Sequence, residues 1–132
     1  MPTVLSNAGP LIALAKLNRL DLLAELYGEV QIPRTVYNET VTQGLTYGAH
    51  DALTIKIFWQ CQGWVIIDVS DCVLATYNPS MILDRGEIEV LAIAQNLSDP
   101  LLLLDDEMAR IEARRLNLPV RGTLGVLVQS YQ

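Results

Sequence analysis

The sequence is short of the residues that most metal and covalent chemistry relies on. It holds one histidine and two cysteines. Cys61 and Cys72 form no metal-ligand spacing, which argues against structural zinc. We expect both to be small buried packing residues, not a disulfide. His50 stands beside the loop residue Gly48 and reads as an exposed helix start rather than a catalytic base. No apolar run reaches the ~18 residues that a membrane helix needs. Met1-Pro2-Thr3-Val4-Leu5 lacks the basic stretch and long apolar run of a signal peptide. These two absences lead us to expect a cytoplasmic chain with no membrane segment. There is no nucleophile elbow, P-loop or dinucleotide fingerprint, and no internal repeat, low-complexity tract or linker. Positive charge is scarce as well. The formal net charge is −6, which argues against nucleic-acid binding driven by overall charge.

What is present is an apolar chain with regular punctuation. Its 132 residues, 51% of them hydrophobic, suit one domain over 1–132 with a real core. Thr3 to Ser6 is β-prone. Pro10 suits the first turn of a helix that runs through Leu17 and stops at Asn18. Asp21 opens a second helix that ends at Gly28. Glu29 to Pro33 reads as a strand and Arg34 to Gln43 as a helix, followed by a loop from Gly44 to Gly48. Ala49 to Cys61 reads as a helix stopped by Gly63, and the β-branched run Trp64 to Val69 as a strand. Ser70 to Ser80 looks irregular. A long helix starts at Asp84-Arg85-Gly86-Glu87 and runs to Leu97. Leu101 to Leu104 is a buried strand, Asp106 to Leu116 a helix, Pro119 to Arg121 a last strand. A C-terminal helix follows Gly122 and ends at Gln132; either it packs on the body or a C-terminal segment is missing. Strands alternating with helices imply a parallel sheet with helices on both faces.

Polar stations interrupt this pattern at chosen places. Ser6-Asn7 follows the first strand, Glu39 lies in an early helix, Glu87 opens a later one, and Asp105-Asp106 follows the leucine strand. In a parallel sheet, the strand carboxyl ends share one edge, where ligands bind. Acids gathered there repel one another, and a hard cation such as Mg²⁺ or Mn²⁺ is the usual reason to keep them. Of Asp105 and Asp106, we expect one to cap the next helix and the other to ligate; spacing does not say which. Asn7 is either a turn or N-cap residue, or a neutral oxygen ligand. Glu89 lies two positions from Glu87, points the other way on a helix, and reads as solvated. The arginines Arg110, Arg114, Arg115 and Arg121 crowd the last fifth of the chain.

Taken in order, five segments resemble the PIN domain family over essentially the whole chain. They are Ser6-Asn7-Ala8-Gly9-Pro10-Leu11-Ile12, Ile32-Pro33-Arg34-Thr35-Val36-Tyr37-Asn38-Glu39, Leu83-Asp84-Arg85-Gly86-Glu87-Ile88-Glu89, Leu103-Leu104-Asp105-Asp106-Glu107-Met108-Ala109-Arg110 and Gly122-Thr123-Leu124-Gly125-Val126-Leu127. The likeness is greatest to a prokaryotic PIN subfamily of unknown function related to VapC-like toxins. The resemblance implies a three-layer α/β/α sandwich around a parallel sheet of about five strands. It also implies acids holding Mg²⁺ or Mn²⁺ and cleavage of RNA phosphodiesters. Its acid positions fall on Asn7, Glu39, Glu87 and Asp105 or Asp106, and its small hydroxyl position on Thr123. Asn7 departs from the Asp of the nuclease pattern.

The expectation is therefore a metal-dependent endoribonuclease, the toxin half of a toxin–antitoxin pair. Glu39, Glu87, Asp105 and Asp106 would be catalytic and, with Asn7, would ligate the metal, while Arg110 and Thr123 would touch substrate. RNA, an antitoxin protein and a second copy of the chain are the expected partners. The alternative is a PIN-like module with impaired catalysis that binds protein or RNA. Asn7 and the charge of −6 motivate that alternative.

Overall fold

Every strand pairing in the computed structural model is parallel. The model describes residues 2–46, 48–75, 77–80 and 82–131. Strand β1 (Thr3–Ser6) pairs with β4 (Pro100–Leu103), and β4 with β5 (Val120–Arg121). A second, two-stranded sheet joins β2 (Ile32–Pro33) to β3 (Ile66–Ile67). The two are stitched at one point, a parallel bridge between Leu5 and Gln31. There Gln31 N donates to Val4 O at 2.8 Å, and Ser6 N donates to Gln31 O at 3.2 Å. The resulting order is β3-β2-β1-β4-β5, with the direction of winding reversing at β1 and β4.

The strands are shorter than the sequence suggests, for a local reason. Pro33 has no N–H to extend the ladder and is the N-cap of the helix that begins at Arg34. With a two-residue partner, the β-branched run Trp64 to Val69 is paired at Ile66–Ile67, and Val65 O just before them accepts from Ile32 N at 3.5 Å.

Alternation along β1 and β4 makes the layers. Val4 and Leu103 enter one apolar cluster, with residues of α1 (Ala8–Lys16), α2 (Asp21–Tyr27), α5 (His50–Gln62) and α9 (Thr123–Ser130). Leu5, Leu102 and Leu104 enter the other, with residues of α7 (Arg85–Gln95) and α8 (Glu107–Arg115). Side chains on a strand alternate faces, so the leucine run is buried from both sides. That is why it is uniformly apolar. The faces follow from right-handed crossovers: winding one way from β1 puts α1, α2 and α5 on one side, and winding back puts α7 and α8 on the other.

Several details differ from the reading of the sequence. The helix expected over Arg34 to Gln43 is α3 (Arg34–Tyr37) followed by a π-helical turn, Asn38–Thr42, and then α4 (Gln43–Thr46), which reaches into the expected loop. Tyr47 of that loop lies outside the described residues. The stretch from Ser70 contains a short helix, α6 (Asp71–Ala75), and Thr76 beyond it is again outside the description, as is the expected helix end at Gln132. Cys61 and Cys72 are free and exposed instead of buried. Cys61 falls on the outer face of α5, whose buried positions are Ala52, Ile55 and Trp59. His50 does begin α5 and is exposed.

One polar cluster fastens the second layer. Glu112 of α8 is fully buried. It accepts hydrogen bonds from Tyr77 Oη at 2.9 Å, Ser80 N at 3.3 Å, the Ser80 hydroxyl and Arg115 Nη2 at 2.5 Å. The segment that precedes α7 is thereby held against α8.

Candidate functional site

The winding reverses between β1 and β4, and the carboxyl ends of those two strands flank the crevice where an open α/β sheet binds its ligands. Asn7 is the first residue past β1. Its backbone N–H donates to Leu103 O at 3.2 Å, which ties it to β4. It occupies the N-cap position of α1, yet its side chain makes no capping hydrogen bond. The residue is 6% exposed, and among the described residues its Oδ1 is buried with no partner. A buried acceptor left unpaired costs about 1–3 kcal/mol, a cost that a ligand at this oxygen would relieve.

Asn7 is one of the residues lining a cavity of about 230 Å³, with Gly9, Val36, Glu39, Asp84, Gly86, Glu87 and Asp106 among the others. Glu39 comes from the π-helical turn, a distortion often found at functional sites. It is positioned by Val36, Thr40 and Val41, all buried. Glu87 sits in the first turn of α7. The Asp84 side chain accepts from Glu87 N at 2.8 Å, and Glu87 Oε1 accepts from Asp84 N at 3.1 Å, a reciprocal capping box. Asp106 caps α8 by accepting from Ala109 N at 3.0 Å. Small residues let these groups approach. A Cβ on Gly86 would stand 3.1 Å from Glu39 Oε1 and 3.6 Å from Asp84 Oδ1.

Asp105 faces a neighbouring cavity of about 600 Å³, together with Arg110. Its Oδ1 accepts from Thr123 N at 2.7 Å and its Oδ2 from the Thr123 hydroxyl at 2.5 Å. Gly9, which lines the first cavity, abuts Asp105 of the second. A Cβ on Gly9 would lie 3.5 Å from Asp105 Oδ2 and 3.7 Å from Asn7 Oδ1. The structure thus gathers Asn7, Glu39, Glu87 and Asp106 in one cavity and sets Asp105, Thr123 and Arg110 beside it. Of the adjacent acids, Asp106 is the cap.

The electrostatics are those of a crowded acid site. Burial pushes the Glu87 carboxyl up to about 7, the nearby Asp84 and Asp106 add to the rise, and the Asp84 N–H bond opposes it. Glu39 is also pushed up, by burial first and then by Asp84 and Glu89. Among the described residues, no three Asp, Glu, His or Cys side chains stand together closely enough to hold an ion. Glu87, Asp105 and Asp106 each turn a carboxylate oxygen to a backbone N–H instead.

Two residues escaped the reading of the sequence. Asp84 lines the cavity, and its signal was available in the Asp-x-x-Glu spacing of a capping box. Glu89 is buried, not solvated, at 3% exposure. It points away from Glu87 as expected, but that direction leads to α3, where Thr35 Oγ1 donates to its Oε1 at 3.1 Å. Arg85 Nε donates to the same oxygen at 3.2 Å.

A family model of the PIN domain matches residues 3–132. The chain belongs to the PIN domain family. Comparison with curated proteins found no match. A PIN domain has a nuclease-type fold and its family is generally dependent on divalent metal, and this PIN domain carries the parallel sheet flanked by helices that the family predicts. Among its described residues, no helix is long and apolar enough to cross a membrane.

Proposed function

We propose that this PIN domain is a divalent-cation-dependent endoribonuclease. The observation that carries the reading is the unpaired, buried Oδ1 of Asn7, a residue that lines one cavity with Glu39, Asp84, Glu87 and Asp106. The donors are all hard oxygens, which fit Mg²⁺ or Mn²⁺ and not a metal that prefers sulfur or imidazole. Asn7, Glu39, Glu87 and Asp106 line the cavity and would hold the cation once drawn together by it, with Asp105 beside them. A bound cation supplies Lewis acidity, which acidifies water and offsets charge on a leaving oxygen. Glu87, with its proton affinity raised to about 7, can hold or release a proton near neutral pH. Thr123 fixes the Asp105 carboxylate at the edge of the site through both its N–H and its hydroxyl.

The finer parts of the proposal are that the chain is a cytoplasmic toxin related to VapC-like proteins, acts on RNA, pairs with an antitoxin protein and self-associates. Growth arrest on expression, relieved by a partner encoded beside the gene, would support the toxin reading. A second reading is favoured by Asn7 itself: a PIN-like module with weak or lost catalysis, since an amide oxygen binds a hard cation less well than a carboxylate.

The deciding experiment is RNA cleavage with Mg²⁺ and with Mn²⁺, on structured and single-stranded RNAs, using folded protein freed of any partner. Asn7→Asp is expected to tighten cation binding and speed cleavage, and Glu87→Gln and Asp105→Asn to suppress it. No cleavage from either wild type or Asn7→Asp would end the nuclease reading and leave the binding module.

A further inference from the structure

We propose that the cavity beside Asp105 is a nucleotide subsite, which takes one unpaired nucleotide of RNA next to the cleaved phosphodiester. Its phosphate would sit on Arg110 and its base on the apolar face of α9. The proposal deepens the nuclease reading and takes from it only the position of the scissile bond.

Arg110 is the first observation. It lies one turn into α8, its Nε is buried, and among the described residues that Nε has no acceptor. The ion pairs of the described chain engage Arg19, Arg34, Arg85 and Arg115, none of them Arg110. Arg121, which lines the same cavity, is already occupied: its Nη1 donates to Tyr27 Oη at 3.2 Å and to Gln129 Oε1. Asp105 is close by, but both of its oxygens are turned to Thr123. Arg110 is therefore a half-buried guanidinium with an unmet donor, in a chain whose net charge is −6. Phosphate oxygens match the planar fork of such a group.

The shape of the cavity is the second. Gly122 keeps the approach open: a Cβ there would come within 3.4 Å of Arg110 Nη1 and 3.1 Å of Asp105 Oδ1. At about 600 Å³ the cavity is within the ~300–1,000 Å³ typical of small-ligand sites. Its lining carries the guanidinium and, from α9, Leu124 and Val128, which are 75% and 53% exposed. A ligand that joins an anionic group to a flat, apolar one suits both parts of that lining. A nucleotide has that form, and Gly9, which lines the acid cavity and abuts Asp105, sets the two cavities side by side, so that the phosphate lies next to the bond to be cut. A base inside a duplex stays stacked and paired, so only single-stranded RNA could use this subsite.

The test is an NMR titration without divalent cation, which keeps it independent of the metal site. The probes are adenosine and uridine monophosphates, compared with the bare nucleosides and inorganic phosphate. The expected result is saturable shifts at the Leu124 and Val128 methyls and at the Arg110 Nε–H, with the nucleosides and phosphate binding about tenfold or more less tightly. Arg110→Gln should weaken nucleotide binding by about tenfold, the scale of a lost charge-assisted bond. Leu124→Glu, at an exposed position that folding does not depend on, should do the same. The proposal is overturned by no saturable shifts, by shifts confined elsewhere, or by either variant binding as wild type does. It is also overturned if the α9 methyls respond instead to protein concentration and Leu124→Glu converts a dimer to a monomer, because the face is then a protein interface. Nucleotide binding here without RNA cleavage would remove the nuclease reading and leave the subsite. Cleavage with none of these shifts would do the reverse.

Discussion

Glu87 and Glu112 are buried glutamates on neighbouring helices of one layer, and the fold treats them in opposite ways. Glu112 is 0% exposed and Glu87 6%. The Arg115 guanidinium, with Ser80 and Tyr77, outweighs burial and draws the Glu112 carboxyl down to about 2. Glu87 has the Asp84 N–H as donor and the Asp84 and Asp106 acids as neighbours, so burial and like charge lift it to about 7. Burial alone therefore does not say what a glutamate is for; the donors around it do. Where donors outnumber acids the carboxylate is a fastener. Where acids outnumber donors, a positive charge is wanted from outside.

The sharpest way to break this comparison is to remove the fastener. Glu112→Ala should destabilise the fold by about 1–3 kcal/mol, because it removes a buried carboxylate from its pair with the half-exposed Arg115 and strands the buried donors around it. The denaturant midpoint measures this. The pH dependence has a definite sign. The folded carboxyl lies near 2, below its ordinary 4.5, so its stabilisation is complete above pH 4.5 and is lost as pH falls toward 2. A Glu112→Ala variant that melts like wild type at neutral pH would show that the cluster does not hold the layer.

The matching experiment on the other glutamate adds charge rather than removing it. Mg²⁺ or Mn²⁺ should raise the melting temperature of wild type, with a stabilisation of about 2.7 kcal/mol when free cation is a hundred times its Kd. The same gain should survive in Glu112→Ala, whose hydrogen-bond partners do not line the acid cavity, and shrink in Glu87→Gln. A flat melting temperature in millimolar cation would favour the binding-module reading.

How far the sequence could carry these distinctions depends on whether the deciding contact is local. The leucine strand, the stops at Asn18, Gly28 and Gly63, and the cap at Asp106 are settled within a few residues, and the sequence shows them. The placement of Asn7 and Glu87 at one sheet edge was legible because the first follows a strand and the second opens a helix, whereas Glu39, inside a helix, was joined to them only by the family resemblance. Glu112 was not: Arg110-Ile111-Glu112-Ala113-Arg114-Arg115 reads as a solvated helix, and only Tyr77 and Ser80, more than thirty residues earlier, make it a buried anchor. Glu89 misled for the same reason. Its helix, α7, is packed on more than one side, so pointing away from the site meant pointing at Thr35 and not at water. The π-helical turn at Glu39 has no local signal either, since Asn38 to Thr42 suits an ordinary helix.

A smaller effect tests the Glu87 half of the comparison directly. Glu87→Gln keeps an acceptor for the Asp84 N–H but never ionises. The folded carboxyl binds its proton more tightly than the unfolded one, so wild-type stability should fall as pH rises from 4.5 to 7. The variant should skip that fall. It should match wild type near pH 4 and exceed it above pH 7 by about 1–2 kcal/mol, a figure reduced for solvent screening. Equal stability curves across that range would mean that Glu87 is not strained by its neighbours.

The finest distinction lies at Asp106, which both caps α8 and contributes charge to the cavity. Asn caps a helix about as well as Asp, so Asp106→Asn should change stability by only a few tenths of a kcal/mol, against about 1 kcal/mol for Asp106→Ala. The cavity should nevertheless respond. Burial is the main cause of the raised Glu87 carboxyl, but the Asp106 charge and its hydrogen bond to the protonated form also contribute. With Asn in place, the like charge is gone and the amide can donate to the ionised carboxylate, so the Glu87 carboxyl should move down toward its ordinary range. The downward slope of stability between pH 4.5 and 7 should therefore flatten in Asp106→Asn while α8 keeps its cap. If the slope is unchanged, Asp106 acts on the helix alone, and the charge pressing on Glu87 comes from Asp84, whose capping contact with it is reciprocal.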